Sequence, residues 1–324
     1  MALRQATVLL VSAAALVAAA AASLTLGAVH VPLSDVIAAL TGRADPGPLK
    51  EIVLQLRLPR TVSALVVGAA LGVAGALLQG ALANPLASPD VIGVTGGAAF
   101  GAILILLVFP GSIALLPVGA LVFGTAAAAL VFAIGGTAGI GRLILAGIAI
   151  ASMFGAATTS LMVAFADRVQ SAVFWLAGGL TAQGWSDMEV TWPYFAVGFL
   201  LAAGLARPLD RLALGDDVAA SLGARPRAIR LAAGAAAALL ASAAAAIAGL
   251  LGFLGLGIPH VVRLAGGTAG HRFVVPASAL AAAALLLIGD TLARTVLAPI
   301  ELPVGPLMVV LGVPLFLKLL RSAT

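Results

Sequence analysis

Three histidines, His30, His260 and His271, are the only imidazoles in the chain, and it has no cysteine. Metal-assisted hydrolysis or nucleophilic catalysis would need His, Cys, Asp or Glu grouped at short ligand-like spacings. None of the three histidines has a carboxylate at such a spacing. His30 and His271 read as loop residues. His260, after Pro259 at a helix start, reads as a local structural donor rather than a metal ligand. Nucleotide chemistry would need a phosphate-cradling Gly-x-x-x-x-Gly-Lys-Ser/Thr loop, but the two lysines, Lys50 and Lys318, follow Leu49 and Leu317. No ATP site, no enzyme activity and no cofactor is expected of this polypeptide, and the missing cysteines exclude disulfides.

What remains is arginine, in two places. In LRLPR (56–60), Arg57 and Arg60 stand three residues apart around Pro59. Guanidinium forks suit carboxylates on a partner surface, and the proline would present them from a stiff corner. The alternative is an anchor at lipid headgroups. The second place is RPLDRLALGDDVAASLGARPRAIR (207–230), which holds eight charged side chains, whereas residues 91–141 hold none. Its grammar is that of two short helices. LDRLAL stops at Gly215, Asp216 and Asp217 sit where carboxylates cap a new helix, and Gly223 and Pro226 end it. A structured loop of this kind suggests a docking surface in water; the plainer reading is a solvated loop whose arginines only fix orientation.

The rest of the chain must position these groups, and it is membrane. Of 324 residues 62% are hydrophobic and 9% charged, with mean hydropathy +1.20, against roughly 25% charged in ordinary soluble domains. The expected class is an all-α, polytopic membrane protein with a single domain over 1–324. The apolar runs predict ten spans: 6–29, 61–82, two within 91–141 that turn at FPGS (109–112) and Pro117, 143–165, 190–205, 231–250, a short one ending at Arg263, 273–294 and 304–317. Between 174 and 185, FWLAGGLTAQGW is too glycine-broken to span, and with Trp175, Trp185 and Trp192 nearby it reads as a short surface helix. GFLGLGIPH (252–260) breaks the helix before the short eighth span.

Ten spans put both termini on one side. With the termini inside, inner loops hold eleven of the seventeen Lys and Arg, and outer loops six. That supports cytoplasmic termini and a cytoplasmic 207–230 loop. It also leaves Arg57 and Arg60 outside, against the trend. A pI near 11 invites a nucleic-acid reading, but the basic groups lie in inter-span loops without interleaved aromatics, so no nucleic-acid partner is expected.

A transporter driven by ions carries ionisable groups in mid-membrane. Here the spans offer Asp90 and Asp290 near their ends. Gln79, Asn84, Ser152, Thr158, Thr159 and Ser160 could line a polar path, although small hydroxyls also serve helix packing. The chain reads as a pathway without an engine.

Several long motifs resemble the permease subunits of ATP-binding cassette (ABC) importers for iron-siderophores, haem and vitamin B12, the FecCD-type family. They are LRLPR (56–60), GAALGVAGALLQGALANPLASPDVIGVTGGAAFGA (68–102), LILAGIAI (143–150), FWLAGGL (174–180), LALGDDVAASLGA (212–224), GLLGFLGLGIPHVVRLAGGTAGHR (249–272) and GDTLARTVLAPIELPVG (289–305). They occur in the family's order over most of the chain. One departure is Gly270, where the family more often has an acidic residue before His-Arg. The resemblance implies a second permease copy or paralogue with the pathway along the pair's interface, two ATPase subunits below, and a soluble or lipid-anchored substrate-binding protein above. It implies that Leu214, Gly215, Asp216, Asp217, Ala219, Leu222 and Gly223 form the element that couples to the ATPase. It also implies that Arg57, Arg60 and Arg294 receive acidic residues of the binding protein. Two other classes stay open on the residues alone: a secondary transporter or channel acting by itself, which predicts uptake without ATP, and a membrane scaffold protein.

Overall fold

The computed structural model describes residues 2–135, 140–181 and 184–322. Among them, seven helices are long and apolar enough to cross a membrane, and three shorter apolar helices, Val94–Val108, Leu254–Gly266 and Val304–Pro314, add to them. The sum equals the ten spans read from the apolar runs.

In chain order, α1 is Ala2–Thr25, followed by the short helices α2 (Leu33–Leu40) and α3 (Pro48–Glu51). A π-helical turn at Ile52–Arg57 runs without interruption into α4, Leu58–Ala81. The second span therefore belongs to a helical stretch that starts at Pro48, not Thr61. Pro59 falls inside this continuous helical stretch without ending it, so it forms no corner. Next come α5 (Val94–Val108), a 3-10 turn at Pro110–Leu115, α6 (Leu116–Gly135) and α7 (Ile140–Ala164). The surface helix is α8, Val169–Ala177, earlier than the 174–185 expected, because Gly178 and Gly179 end it; Ala182 and Gln183 lie outside the described residues. Trp185 instead opens α9, which continues to Leu212. LDRLAL is thus mostly the last turns of α9 and not a separate helix. The chain closes with α10 (Asp216–Ser221), α11 (Pro226–Ala248), α12 (Leu254–Gly266), α13 (His271–Thr295) and α14 (Val304–Ser322). His260 lies inside α12, and His271 is the first residue of α13, not a loop residue.

α4 is the centre. It packs on α9, α11, α12 and α13, and small residues make that possible. Gly68, Gly72 and Gly75 fall on one helical face. A Cβ on Gly68 would lie 2.7 Å from the Ala282 carbonyl oxygen of α13; on Gly72 it would overlap the Ser278 carbonyl, and on Gly75 that of Gly255 in α12. Backbones therefore meet without a side-chain cushion, the packing mode that replaces the hydrophobic effect between helices in lipid. α11, more than half alanine, gives the same close approach, with Ala233, Ala236, Ala237 and Ala241 buried.

The backbone between α11 and α12, residues 249–253, is non-helical. It packs closely on the segment after α8: a Cβ on Gly249 would overlap the Trp175 carbonyl, and one on Gly178 that of Leu250. Irregular backbone at membrane depth is tolerated only under such cover. Phe253, which precedes α12, adopts a left-handed φ of +74°. Its ring lies against Gly257 and Gly312, neither of which could carry a Cβ there.

Candidate functional site

Charged side chains gather at the two ends of the helix bundle. At the end read as cytoplasmic, Gly215 (φ +95°) turns the chain out of α9 and Gly223 (φ +77°) closes α10. The closure is a Schellman motif: Gly223 N–H donates to Ala220 O and Ala224 N–H to Ala219 O, each at 2.9 Å. Pro226 then opens α11 at its first turn. The glycines behave as their sequence positions predict, but the aspartates do not. No side chain caps α10. Instead both carboxylate oxygens of Asp216 accept from Arg230, each at 2.7 Å, and Arg230 Nε also donates to Ala81 O at the end of α4. Hydrogen bonds from Arg230, reinforced by its charge, hold the Asp216 carboxyl below the usual carboxylate range. The bridge therefore outlasts mild acidification.

Anchored in this way, α10 turns Ala219 inward, fully buried, and presents Leu214, Val218 and Leu222 outward at 58%, 48% and 56% exposure. Val218 and Leu222 lie one helical turn apart and Leu214 stands just before the Gly215 turn, so three large apolar side chains line this exposed segment as a ridge. Asp217 is exposed beside them.

The same end holds a bolt that the sequence did not suggest. Asp210, on the last turns of α9, accepts from His271 twice: from its backbone N–H at 2.5 Å and at ring Nδ1 at 3.0 Å. Gly270 precedes α13 and offers no side chain to cap it; Asp210 serves in its place. Nearby, Arg263 donates to Gln79 Oε1, and Gln79 Nε2 to Leu256 O at 3.0 Å, joining α12 to α4. Arg4 caps the end of α12 through the Ala265 and Leu264 carbonyls, at 2.6 and 2.8 Å.

At the opposite end the three arginines of interest converge, but they point inward. Arg57 is 6% exposed and donates to the carbonyls of Leu24, at 2.7 Å, and Val29, just beyond α1. Arg294 is 7% exposed and donates to the Ser23 carbonyl and, at 3.0 Å, to its hydroxyl. Arg60 grips the fully buried Asp290 with Nε and a terminal nitrogen at 2.9–3.2 Å, and reaches Glu301 with the other at 2.8 Å. Asp290 also faces Arg294 at 3.7 Å. The expectation of guanidinium groups held out from a stiff corner is corrected: α4 is helical through Pro59, and these side chains clamp α1, α4 and α13 together. The cluster is still open to the outside through a cavity of about 250 Å³, lined by Arg57, Arg60, Arg294, Leu56 and Glu301 among others. Three cations against two carboxylates leave it one positive charge in excess.

The α7 hydroxyls turn back on their own helix: Thr158, which is buried, and Thr159 and Ser160, which are exposed, each donate to the carbonyl four residues back. No group of three or more His, Cys, Asp or Glu that could hold a metal occurs among the described residues.

Comparison with known proteins bears on the family and the fold. Residues 15–322 match the FecCD transport family. The Fe(3+)-citrate import system permease YfmE of Bacillus subtilis is 36% identical over 97% of this chain and 94% of its own. The hemin transport system permease HmuU of Yersinia pestis is 38% identical over 82% of each. The cobalamin import system permease BtuC of Halobacterium salinarum is 36% identical over 86% of this chain and 75% of its own. A metal-chelate type ABC transporter solved in an inward-facing conformation has the same fold, with a TM-score of 0.86 and 30% identity over 98% of this chain and 99% of that one. A fold and a sequence match that both run almost the whole length leave one assignment: the chain belongs to the FecCD transport family and is a multi-pass membrane permease of an ABC importer, a transport subunit rather than an enzyme.

Proposed function

We propose that this permease pairs with a second permease subunit to form the pathway for a metal chelate of the iron-siderophore, haem or cobalamin class, driven by an ATPase that docks on α10. The observation that carries the reading is the ridge of Leu214, Val218 and Leu222, exposed along α10 and the turn that leads into it, which Arg230 pins to α4 and α11. An apolar ridge on an anchored helix suits a groove on a partner protein, and Gly215, Asp216, Asp217, Ala219 and Gly223 set its placement. Shifting a gate from 1:99 to 99:1 requires about 5.5 kcal/mol of state-dependent contact. Two such ridges, one per permease, are of that scale; an exposed ion pair, at about 0–1 kcal/mol, is not. The pathway wall is the open face of α7, where Ser152, Gly155, Ala156 and Thr159 are exposed. Small groups of this kind suit a path that must release its cargo.

The test is ATP-driven uptake of a ferric chelate, haem or cobalamin by the reconstituted transporter, together with ATPase retention. Changing Leu214, Val218 and Leu222 to aspartate is expected to release the ATPase and abolish uptake. Gly215→Val and Gly223→Val should impair both more mildly. A Cβ meets nothing within 4 Å at either glycine, so the cost is the positive-φ backbone alone, about 1–3 kcal/mol. Unchanged ATPase retention in the triple variant, or uptake by the permease without any ATPase, refutes the reading.

The outer cluster is proposed as the seat of the binding protein. Its excess positive charge and open cavity suit one acidic side chain of a partner, and such pairs set docking register and on-rate. Reversing Arg57 or Arg60 would break the clamp and so cannot isolate docking. Glu301→Gln can, because Glu301 is exposed and competes for Arg60. This variant is expected to bind the binding protein more tightly, with a steeper loss on adding salt. Weaker or unchanged binding would assign the cluster to the clamp alone.

A further inference from the structure

We infer that Asp210 is a positioning residue that carries the movement of α10 to the outer face through α13. This rests on α10 being the ATPase-docking element.

α10 is tied to the bundle by two struts. On one side Asp216 holds Arg230, whose Nε reaches Ala81 O, the inner end of α4. On the other, Asp210 lies six residues before α10 on the same continuous chain and holds the first residue of α13. A single carboxylate oxygen receives both His271 donors, so the α9 end and the α13 start cannot separate without losing both bonds together. The His271 ring also meets a third helix. Its Nε2 is buried with no hydrogen-bond partner among the described residues, and it lies over Gly80 of α4, where an added Cβ would overlap it. The joint therefore brings α9, α13 and α4 to one point.

Both struts land on the same pair of helices. α4 and α13 meet backbone to backbone at Gly68 and Gly72, and a seam with no side-chain layer leaves little room for sliding. Their far ends are joined by Arg60 and Asp290. A pull on α10 thus reaches the outer arginine cluster through two helices that are tied at both ends and close-packed between. By linkage, a binding protein that favours one position of the outer cluster biases α10 to the same extent. The pair is the physical element whose position both faces would sense, which a merely intermediate residue is not.

The absence of native cysteine makes the test direct. Leu297, 52% exposed just beyond the outer end of α13, is changed to cysteine in the assembled transporter in proteoliposomes. Its labelling by a membrane-impermeant maleimide is then timed with the ATPase nucleotide-free and with the ATPase trapped by ADP and vanadate. With Asp210 present the rate is expected to differ at least about fivefold between the two states. Asp210→Asn keeps an accepting oxygen and should keep the difference. Asp210→Ala, and Gly80→Ala, which displaces the ring without touching Asp210, should each reduce it to less than about twofold while retaining the ATPase. A wild-type difference in Asp210→Ala overturns the inference and leaves α10 as the docking element. Equal loss in Asn and Ala overturns it too, since the relay is then not the hydrogen bonds. If aspartates at Leu214, Val218 and Leu222 fail to release the ATPase, the docking element itself falls, and the relay with it.

Discussion

Replacing Asp290 with alanine is expected to destabilise the permease by about 3–5 kcal/mol, the cost of breaking a buried ion pair on one side only. Asp290 is fully buried, and Arg60 directs two nitrogens at it, with Arg294 at 3.7 Å. Without the carboxylate, two guanidinium groups face each other inside the bundle with only Glu301, Ser23 and backbone carbonyls to answer them. Asp290→Asn should cost less, because an amide oxygen still accepts from Arg60. The double variant Arg60→Gln/Asp290→Asn should cost less than the sum of the single changes, since the two residues share one interaction. The measurement is the midpoint of thermal aggregation of the detergent-purified permease for the parent, the three single variants and the double variant. An alanine variant as stable as the parent would mean that water, not the aspartate, satisfies these arginines.

Gly75→Val is expected to be comparably damaging for a different reason. A Cβ at this position would overlap the Gly255 carbonyl oxygen and press on the Gly255 carbon atoms, and backbone atoms cannot rotate out of the way as a flexible side chain can. Overpacking ordinarily costs about 1–3 kcal/mol; here α12 must move bodily off α4, so the loss should lie at or above the top of that range. The reciprocal change is milder. A Cβ on Gly255 would meet Pro89 Cδ at 3.0 Å and Leu71 O at 3.2 Å, a tight fit that small shifts can absorb. Gly204→Ala is the control, since nothing lies within 4 Å of its added carbon, and alanine favours a helix by roughly 0.5–1 kcal/mol. The order of thermal midpoints, Gly204→Ala highest and Gly75→Val lowest, is the outcome to check; Gly75→Val at the level of Gly255→Ala would disprove the backbone contact.

Ten apolar stretches were legible because membrane spans are written as long runs of one chemistry, and the Gly215 and Gly223 turns because few residues other than glycine accept a left-handed backbone. Helix starts were less legible. The helical stretch that leads into α4 starts at Pro48 and α9 at Trp185, ahead of the apolar cores read from 61 and 190, at residues polar enough to read as loop. The charge count placed Arg57 and Arg60 at the end of the bundle opposite the 207–230 loop, where they lie, but it carries no information on where a side chain points. Their acceptors are carbonyls at the end of α1 and an aspartate 230 residues away. Asp210 and His271, separated by 61 residues, show the same limit. Local spacing reveals pairs on one helix, and these two meet only when three helices do.

The shortness of α12 bears on how the protein is made. Thirteen residues at 1.5 Å each extend about 20 Å, well under the roughly 30 Å of a bilayer's hydrocarbon core. The helix also carries Arg263 in its last turn; an arginine there costs less than the roughly 2.5–3.5 kcal/mol of a central one, but it adds to the shortfall in length. Alone, such a segment should remain outside the bilayer. Its arginine finds relief in Gln79 of α4, which leaves the ribosome nearly two hundred residues earlier. Insertion of α12 is therefore expected to wait on α4, so that a nascent chain with Gln79→Leu exposes the 267–270 turn on the wrong face, detectable by labelling Thr268→Cys from each side of the membrane. The same labelling pattern with glutamine and with leucine would show that α12 enters without help.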